Sequence, residues 1–91
     1  MSRIFWNETA REARQAALEY VARSGLQLAL NQLTEIEKQT ARLLRHPHLG
    51  RPGKTKGTRD LTINRTFFVV TYRIIGENIQ VLRFRHASQK S

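Results

Sequence analysis

The sequence predicts an α+β domain: an N-terminal strand and a two-helix antiparallel hairpin packed on one face of a small, mainly antiparallel β-sheet. Three observations carry this prediction. Residues 10 to 44 hold apolar side chains at three-and-four spacing, the period of amphipathic helices. Residues 61 to 86 are β-branched and aromatic runs separated by turn residues. Between the two helical stretches stands only Ser24-Gly25, a connection so short that the helices must fold back on one another. Ninety-one residues make one domain, 1 to 91. Its core is small, so its stability is modest unless a partner adds to it.

Taken in order, Ile4-Phe5-Trp6 reads as a first strand. Thr9 with Glu12 fits a capping box. The helix that follows places Ala10, Ala13, Ala17, Tyr20 and Val21 on one face; a stripe so rich in alanine implies a close neighbour. Ser24 with Gln27 fits a second capping box, and Leu26, Leu30, Leu33, Ile36, Thr40 and Leu44 continue at helical spacing, widened by Ala29 and Leu43. His46-Pro47 ends that helix, because the residue before proline is pushed out of helical geometry. Residues 46 to 58 form a basic Gly/Pro loop. In the sheet, Leu61 and Ile63 share a face, and Asn64-Arg65 is a turn. Residues 66 to 75 and 79 to 86 are strands joined by a turn at Gly76-Glu77-Asn78. Strict alternation assigns Phe68, Tyr72, Leu82 and Phe84 to the helices. It leaves Phe67, Val69, Ile79 and Val81 on the open face beside Arg73, Arg83 and Arg85. An exposed face that is both apolar and cationic is a binding surface.

The formal charge is +9, and it is unevenly placed. Residues 1 to 41 carry five Lys/Arg and five Asp/Glu, whereas residues 42 to 91 carry eleven and two. All of the excess lies in the second half, and a field of that sign draws polyanions or acidic proteins. No apolar run approaches the roughly 20 residues of a membrane helix. Arg3 precedes too short an apolar stretch for a secretory leader. The absence of cysteine excludes disulfides and thiolate metal sites and fits a reducing cytoplasm.

Among residues with chemistry, the open-face arginines lead, since guanidinium pairs bidentately with phosphate or carboxylate. Arg51, Lys54, Lys56 and Arg59 can track a phosphate backbone. No Walker-type phosphate loop is present. His86 is a candidate acid or base. His46 and His48 lack a third ligand, so no metal is expected, nor any cofactor. Carboxylates after residue 42 are only Asp60 and Glu77. A nuclease built from these residues would work without metal, with Arg and Lys stabilising the phosphorane while the RNA 2′-hydroxyl attacks.

The chain resembles the RelE/ParE toxins of bacterial toxin–antitoxin pairs over nearly its whole length. The residues that carry this are Trp6, Ala10, Ala13 and Tyr20-Val21-Ala22; His46-Pro47 and Gly50-Arg51; Gly57-Thr58-Arg59-Asp60-Leu61; Phe68-Val69-Val70-Thr71-Tyr72-Arg73; and Ile79 through Leu82-Arg83 to His86-Ala87-Ser88-Gln89. The resemblance implies a cytoplasmic toxin held in a hetero-oligomer by a cognate acidic antitoxin, which would lie on Phe67, Val69, Arg73, Ile79, Val81, Arg83 and Arg85. Within the superfamily the pattern is similar to ParE, a non-enzymatic poison of DNA gyrase. RelE-type mRNA endonucleases place an arginine where this chain has Val69. YoeB-like relatives use a loop glutamate, but residues 46 to 58 contain no carboxylate, and they end near His-Tyr where this chain has His86-Ala87. The alternative is a ribosome-dependent mRNA endonuclease with Arg73, Arg83 and the loop cations on the phosphate and His86 as acid. Many ParE-like chains carry an aromatic residue and a proline after the glutamine; Lys90-Ser91 stand there instead, which implies a reduced terminal segment.

Overall fold

The computed structural model describes residues 1–89; Lys90 and Ser91, and with them the expectation of a reduced terminal segment, lie outside the described residues. The elements run β1 (Ile4–Trp6), α1 (Glu8–Ala22), α2 (Leu26–Ala41), a 3-10 turn (Arg42–Leu44), β2 (Arg51–Pro52), β3 (Arg59–Thr62), β4 (Phe68–Ile75) and β5 (Asn78–His86). One five-stranded sheet has the order β1-β5-β4-β3-β2; β1 runs parallel to β5, and every other neighbour is antiparallel. The helix hairpin covers one face, with α1 lying on β5 and α2. The predicted architecture is therefore the observed one, with a short extra strand, β2, inside the stretch expected to be loop. No helix among the described residues is long and apolar enough to cross a membrane.

Neither expected capping box forms. The first helix is capped by Asn7, whose side-chain oxygen accepts from the Ala10 amide at 2.8 Å. The start is fixed two residues earlier than Thr9 because β1 is anchored: the Asn7 amide donates to Val81 O at 3.0 Å, so the chain turns into the helix where the strand ends. Asparagine is among the best residues for that position. The second helix begins after Gly25 with no side-chain cap, so Ser24 and Gln27 do not act reciprocally. Along α1, Ala10, Ala13, Ala17 and Val21 face the core as expected, but Tyr20 is 70% exposed. Along α2 the inward residues are Ala29, Ile36, Gln39 and Thr40, while Leu26 and Leu30 are exposed. Gln39 is buried because it caps the sheet turn: its amide donates to Asn64 O (3.0 Å) and its oxygen accepts from the Asn64 amide (2.7 Å).

The larger departure is in β5. Its pairing with β4 runs Ile74 to Ile79 and Tyr72 to Val81, then jumps to Thr71 opposite Arg83 and Val70 opposite Phe84. Leu82 is thus an extra residue, a β-bulge, and it inverts the alternation. Before the bulge Ile79 and Val81 point to the helices; after it Phe84 does. Ile79 (1% exposed) and Val81 (0%) are core residues, packed with Phe68, Val70, Tyr72, Ile36 and Leu43. The expectation that they stand on the open face is corrected, and Leu82 leaves the core in their place.

Candidate functional site

Adjacent strands place paired residues on one face, so the register reads out the open side of the sheet. One row across it is Arg51, Asp60, Thr71 and Arg83. A second is Thr62, Val69 and Arg85. A third holds Arg73 and Gln80, joined by an Arg73 Nε bond to Gln80 Oε1 at 2.8 Å. Beyond β2, the Gly53 amide bonds Thr58 O at 2.8 Å and the Thr58 hydroxyl donates to Thr55 O at 2.6 Å. This turn carries the exposed Lys54 and Lys56. Of the seven predicted cations, Arg51, Lys54, Lys56, Arg73 and Arg83 are exposed. None of these five is in an ion pair among the described residues.

The other two cations have different surroundings. Arg59 pairs with Tyr72 on the helix side. Its Nη1 donates to Gly50 O at 2.7 Å, fastening the segment before β2. The same segment is held by the Tyr72 hydroxyl, which donates to Pro47 O (2.6 Å) and accepts from the Gly50 amide (2.9 Å). Burial pushes the Tyr72 phenol above its usual value, although the Gly50 bond and Arg59 act against it. Arg85 lies over Val69, with its side chain only 17% exposed. Its Nη2 is 3.7 Å from Asp60 Oδ2, and its Nη1 reaches Gln89 O at 3.3 Å. Asp60, the carboxylate of this face, also accepts from Thr71 Oγ1 at 2.6 Å. It is an organising anion inside a cationic surface, tied on two sides.

Around the edge of the sheet lies an apolar groove of about 450 Å³, between α1 and the ends of β4 and β5. Ala13, Ala16 and Ala17 form its helix wall, and Phe84, Phe67 and His86 its sheet wall. The alanine stripe signalled this close approach. Phe67, expected on the open face, lines the groove instead and stacks on His86 with ring centroids 5.5 Å apart. His86 pairs with Phe68 in register and so belongs to the helix side. Its Nδ1 is 2.8 Å from Ser88 Oγ. Among the described residues two buried polar side-chain atoms have no partner, Gln32 Oε1 and Arg85 Nε, and both of their residues line this groove. One is an acceptor and the other a donor. Gln32 carries no sequence signal: on a helix rich in glutamine nothing marks the one whose oxygen is left unpaired. Among the described residues no group of three His, Cys, Asp or Glu is placed to hold a metal ion.

Comparison with known proteins agrees with this architecture. The chain is similar to "Putative toxin Y4kP" of Sinorhizobium fredii (strain NBRC 101917 / NGR234), 27% identical over 88 residues that cover 97% of this chain and 91% of the relative. Its fold superposes on a chain of the chromosomal ParDE TA system from P. aeruginosa with a TM-score of 0.83. The two are 28% identical, over 94% of this chain and 96% of that one. The family described as ParE toxin of type II toxin-antitoxin system, parDE, matches residues 4–91. A helix hairpin on a five-stranded, mainly antiparallel sheet is thus this family's fold carried by these residues: the chain belongs to the ParE toxins, the toxin component of type II toxin–antitoxin systems.

Proposed function

We propose that this toxin acts in the cytoplasm on DNA gyrase, holding it on cleaved DNA, and that it does so by binding rather than by chemistry of its own. The observation that supports this is the opposition of His86 and the arginines. His86 sits on the helix side against Phe67 and Phe68, whereas Arg73 and Arg83 stand on the other face. A general acid must come within hydrogen-bond reach of the atom it protonates, and a sheet separates this one from the phosphate-binding groups. Asp60 is engaged at one oxygen by Thr71 and at the other by Arg85, so both already have partners. Purified toxin with gyrase, ATP and supercoiled plasmid is expected to give linear, gyrase-trapped product. Absence of that product at toxin well above gyrase, with mRNA cut on translating ribosomes and the cutting abolished in His86→Ala, would replace this reading with the endonuclease one.

The same proposal gives the cognate antitoxin two footholds. An amphipathic segment seats apolar side chains against the alanine wall and Phe67. Its acidic residues reach Arg73 and Arg83. Filling the groove with Ala16→Trp is expected to weaken antitoxin binding about a hundredfold, roughly the 2–3 kcal/mol of a lost anchor. Arg73→Ala with Arg83→Ala is expected chiefly to slow association and flatten its salt dependence. Titration calorimetry and stopped-flow mixing with the antitoxin separate the two. Unchanged affinity in Ala16→Trp would move the antitoxin off the groove.

A further inference from the structure

We infer that the open sheet face is a docking surface for double-stranded nucleic acid, gripped through its phosphodiester groups, and that this binding needs neither gyrase nor antitoxin. The cations of this face come from three separate stretches of chain, Arg51 with Lys54 on β2 and the turn after it, Arg73 on β4, and Arg83 on β5, yet the register brings them together. Arg51 and Arg83 end the row that runs through Asp60 and Thr71. Three strand spacings of about 4.8 Å separate them by roughly 14 Å. That is close to the roughly 12 Å width of a duplex major groove, so the row spans phosphates on both of its walls.

The site has an internal anchor. Between the turn and the sheet lies a cup of about 140 Å³, lined by Lys54, Thr58, Asp60, Thr71, Leu82 and Arg83. It is well below the roughly 300 Å³ at which small-molecule sites begin, so it holds one group and not a nucleoside. Two exposed cations converge on it from residues 54 and 83, and Leu82 supplies a low-dielectric wall that strengthens their grip. It is the bulge that turns Leu82 to this side. The Asp60 carboxylate would oppose an anion, but Thr71 and Arg85 already hold it. Among the described residues one strand aromatic stands on this face, Phe5 on β1 opposite Gln80; the row from Arg51 to Arg83 carries none, and Phe68, Tyr72 and Phe84 are turned to the core. Single-strand binders stack successive bases on several aromatic rings, so a cationic row with no ring in it, and one ring beyond it, fits a backbone whose bases are already stacked.

The test is fluorescence anisotropy of a labelled 20-base-pair DNA duplex titrated with toxin alone, from 50 to 200 mM NaCl. Four phosphate contacts predict a slope of log affinity against log salt of about −3.6, from roughly 0.9 per contact. Arg73→Gln with Arg83→Gln is expected to bring it to about −1.8. A second pair in the turn, Lys54→Gln with Lys56→Gln, is expected to flatten the slope as well, by about 0.9 for Lys54. Arg11→Gln with Arg23→Gln, two exposed arginines of the helix half, is expected to change nothing. Circular dichroism confirms that each variant is folded. No binding at 50 mM NaCl, or equal slopes for the sheet-face and helix variants, would overturn the inference. Tighter binding to the single strand would overturn the duplex assignment; a matched RNA duplex, whose major groove is deep and narrow, is expected to bind more weakly, and equal binding would overturn the span across the groove. Because gyrase is absent, failure here leaves the gyrase reading standing, and failure of the gyrase assay leaves this one.

Discussion

The Tyr72 hydroxyl lies between Pro47 O and the Gly50 amide, and both are drawn onto a side chain that is itself fully buried. Tyr72→Phe keeps the ring and orphans both backbone groups, a loss of about 1–3 kcal/mol, to be read from the urea midpoint. The tyrosine also sets a pH dependence. Its folded-state pKa is raised by burial above the usual value of 10.0, so the neutral phenol is the form that the fold prefers. The stability this contributes is complete below pH 10 and is lost as the pH rises through the higher folded-state value. Stability measured above pH 10 should therefore fall more steeply in the natural protein than in Tyr72→Phe. Gly50 is the counterpart: a Cβ there would lie 2.7 Å from Tyr72 Cε1 and 2.9 Å from Asp60 O. Gly50→Ala is expected to displace the ring at about 1–3 kcal/mol. Alternation in the strand made Tyr72 legible as a core residue. Its partners were not legible, because they stand 25 and 22 residues away and no local pattern records a hydroxyl meeting a backbone group.

At the scale of elements, the strands and helices follow from periodicity, and the errors fall where a neighbouring element overrides a local signal. Thr9-Glu12 is a sound capping box in isolation, but β1 pairs with β5 and delivers the chain into the helix at Asn7. Asn7→Ala is expected to cost about 1 kcal/mol, seen as a lower thermal midpoint. The bulge is the stronger case. Ile79 through His86 alternates without a break, and nothing in it marks Leu82 as supernumerary. Only the demand that Ile79, Val81 and Phe84 all be buried while Arg83 and Arg85 are not requires an extra residue. Pairing residues 79 to 86 without the bulge would force a choice between burying two arginines and exposing Ile79 and Val81, and burying such charges costs several kcal/mol each. Deleting Leu82 takes out the supernumerary residue itself and leaves Val81 opposite Tyr72 and Arg83 opposite Thr71 in continuous register, so the deletion is expected to keep a cooperative urea transition. Leu82→Ala, which keeps the bulge, is expected to keep it too. Loss of the transition in the deletion alone would mean that the bend and twist of the bulge, and not only the count of residues, hold the sheet.

For the molecule as a whole, the sequence showed the charge asymmetry plainly and the groove hardly at all, because a groove is the gap between α1 and strand ends that are some 50 residues away in the chain. The asymmetry has a consequence for stability. The +9 excess is gathered into the sheet half, where Arg51, Arg73 and Arg83 lie within roughly 7–14 Å of one another by strand geometry. Screening lengths pass through that range, from about 10 Å at 0.1 M salt to about 3 Å at 1 M. Self-repulsion on this face should thus be strong in dilute buffer and nearly absent in concentrated salt. The ion pairs that salt would weaken are long: Arg11–Glu8 and Arg65–Glu35 at 3.5 Å and Arg85–Asp60 at 3.7 Å, the first two with exposed arginines. Exposed pairs contribute at most about 1 kcal/mol, so repulsion should win. The thermal midpoint is expected to rise by several degrees between 0.05 and 1 M salt, about 4–8 °C for each kcal/mol regained in a domain of this size. NaCl and KCl should act alike if screening is the cause, and Arg73→Gln with Arg83→Gln should start higher and gain less. A midpoint that falls with salt would instead make the Arg85–Asp60–Thr71 network the dominant electrostatic term, and would place the stability of the face in its pairing.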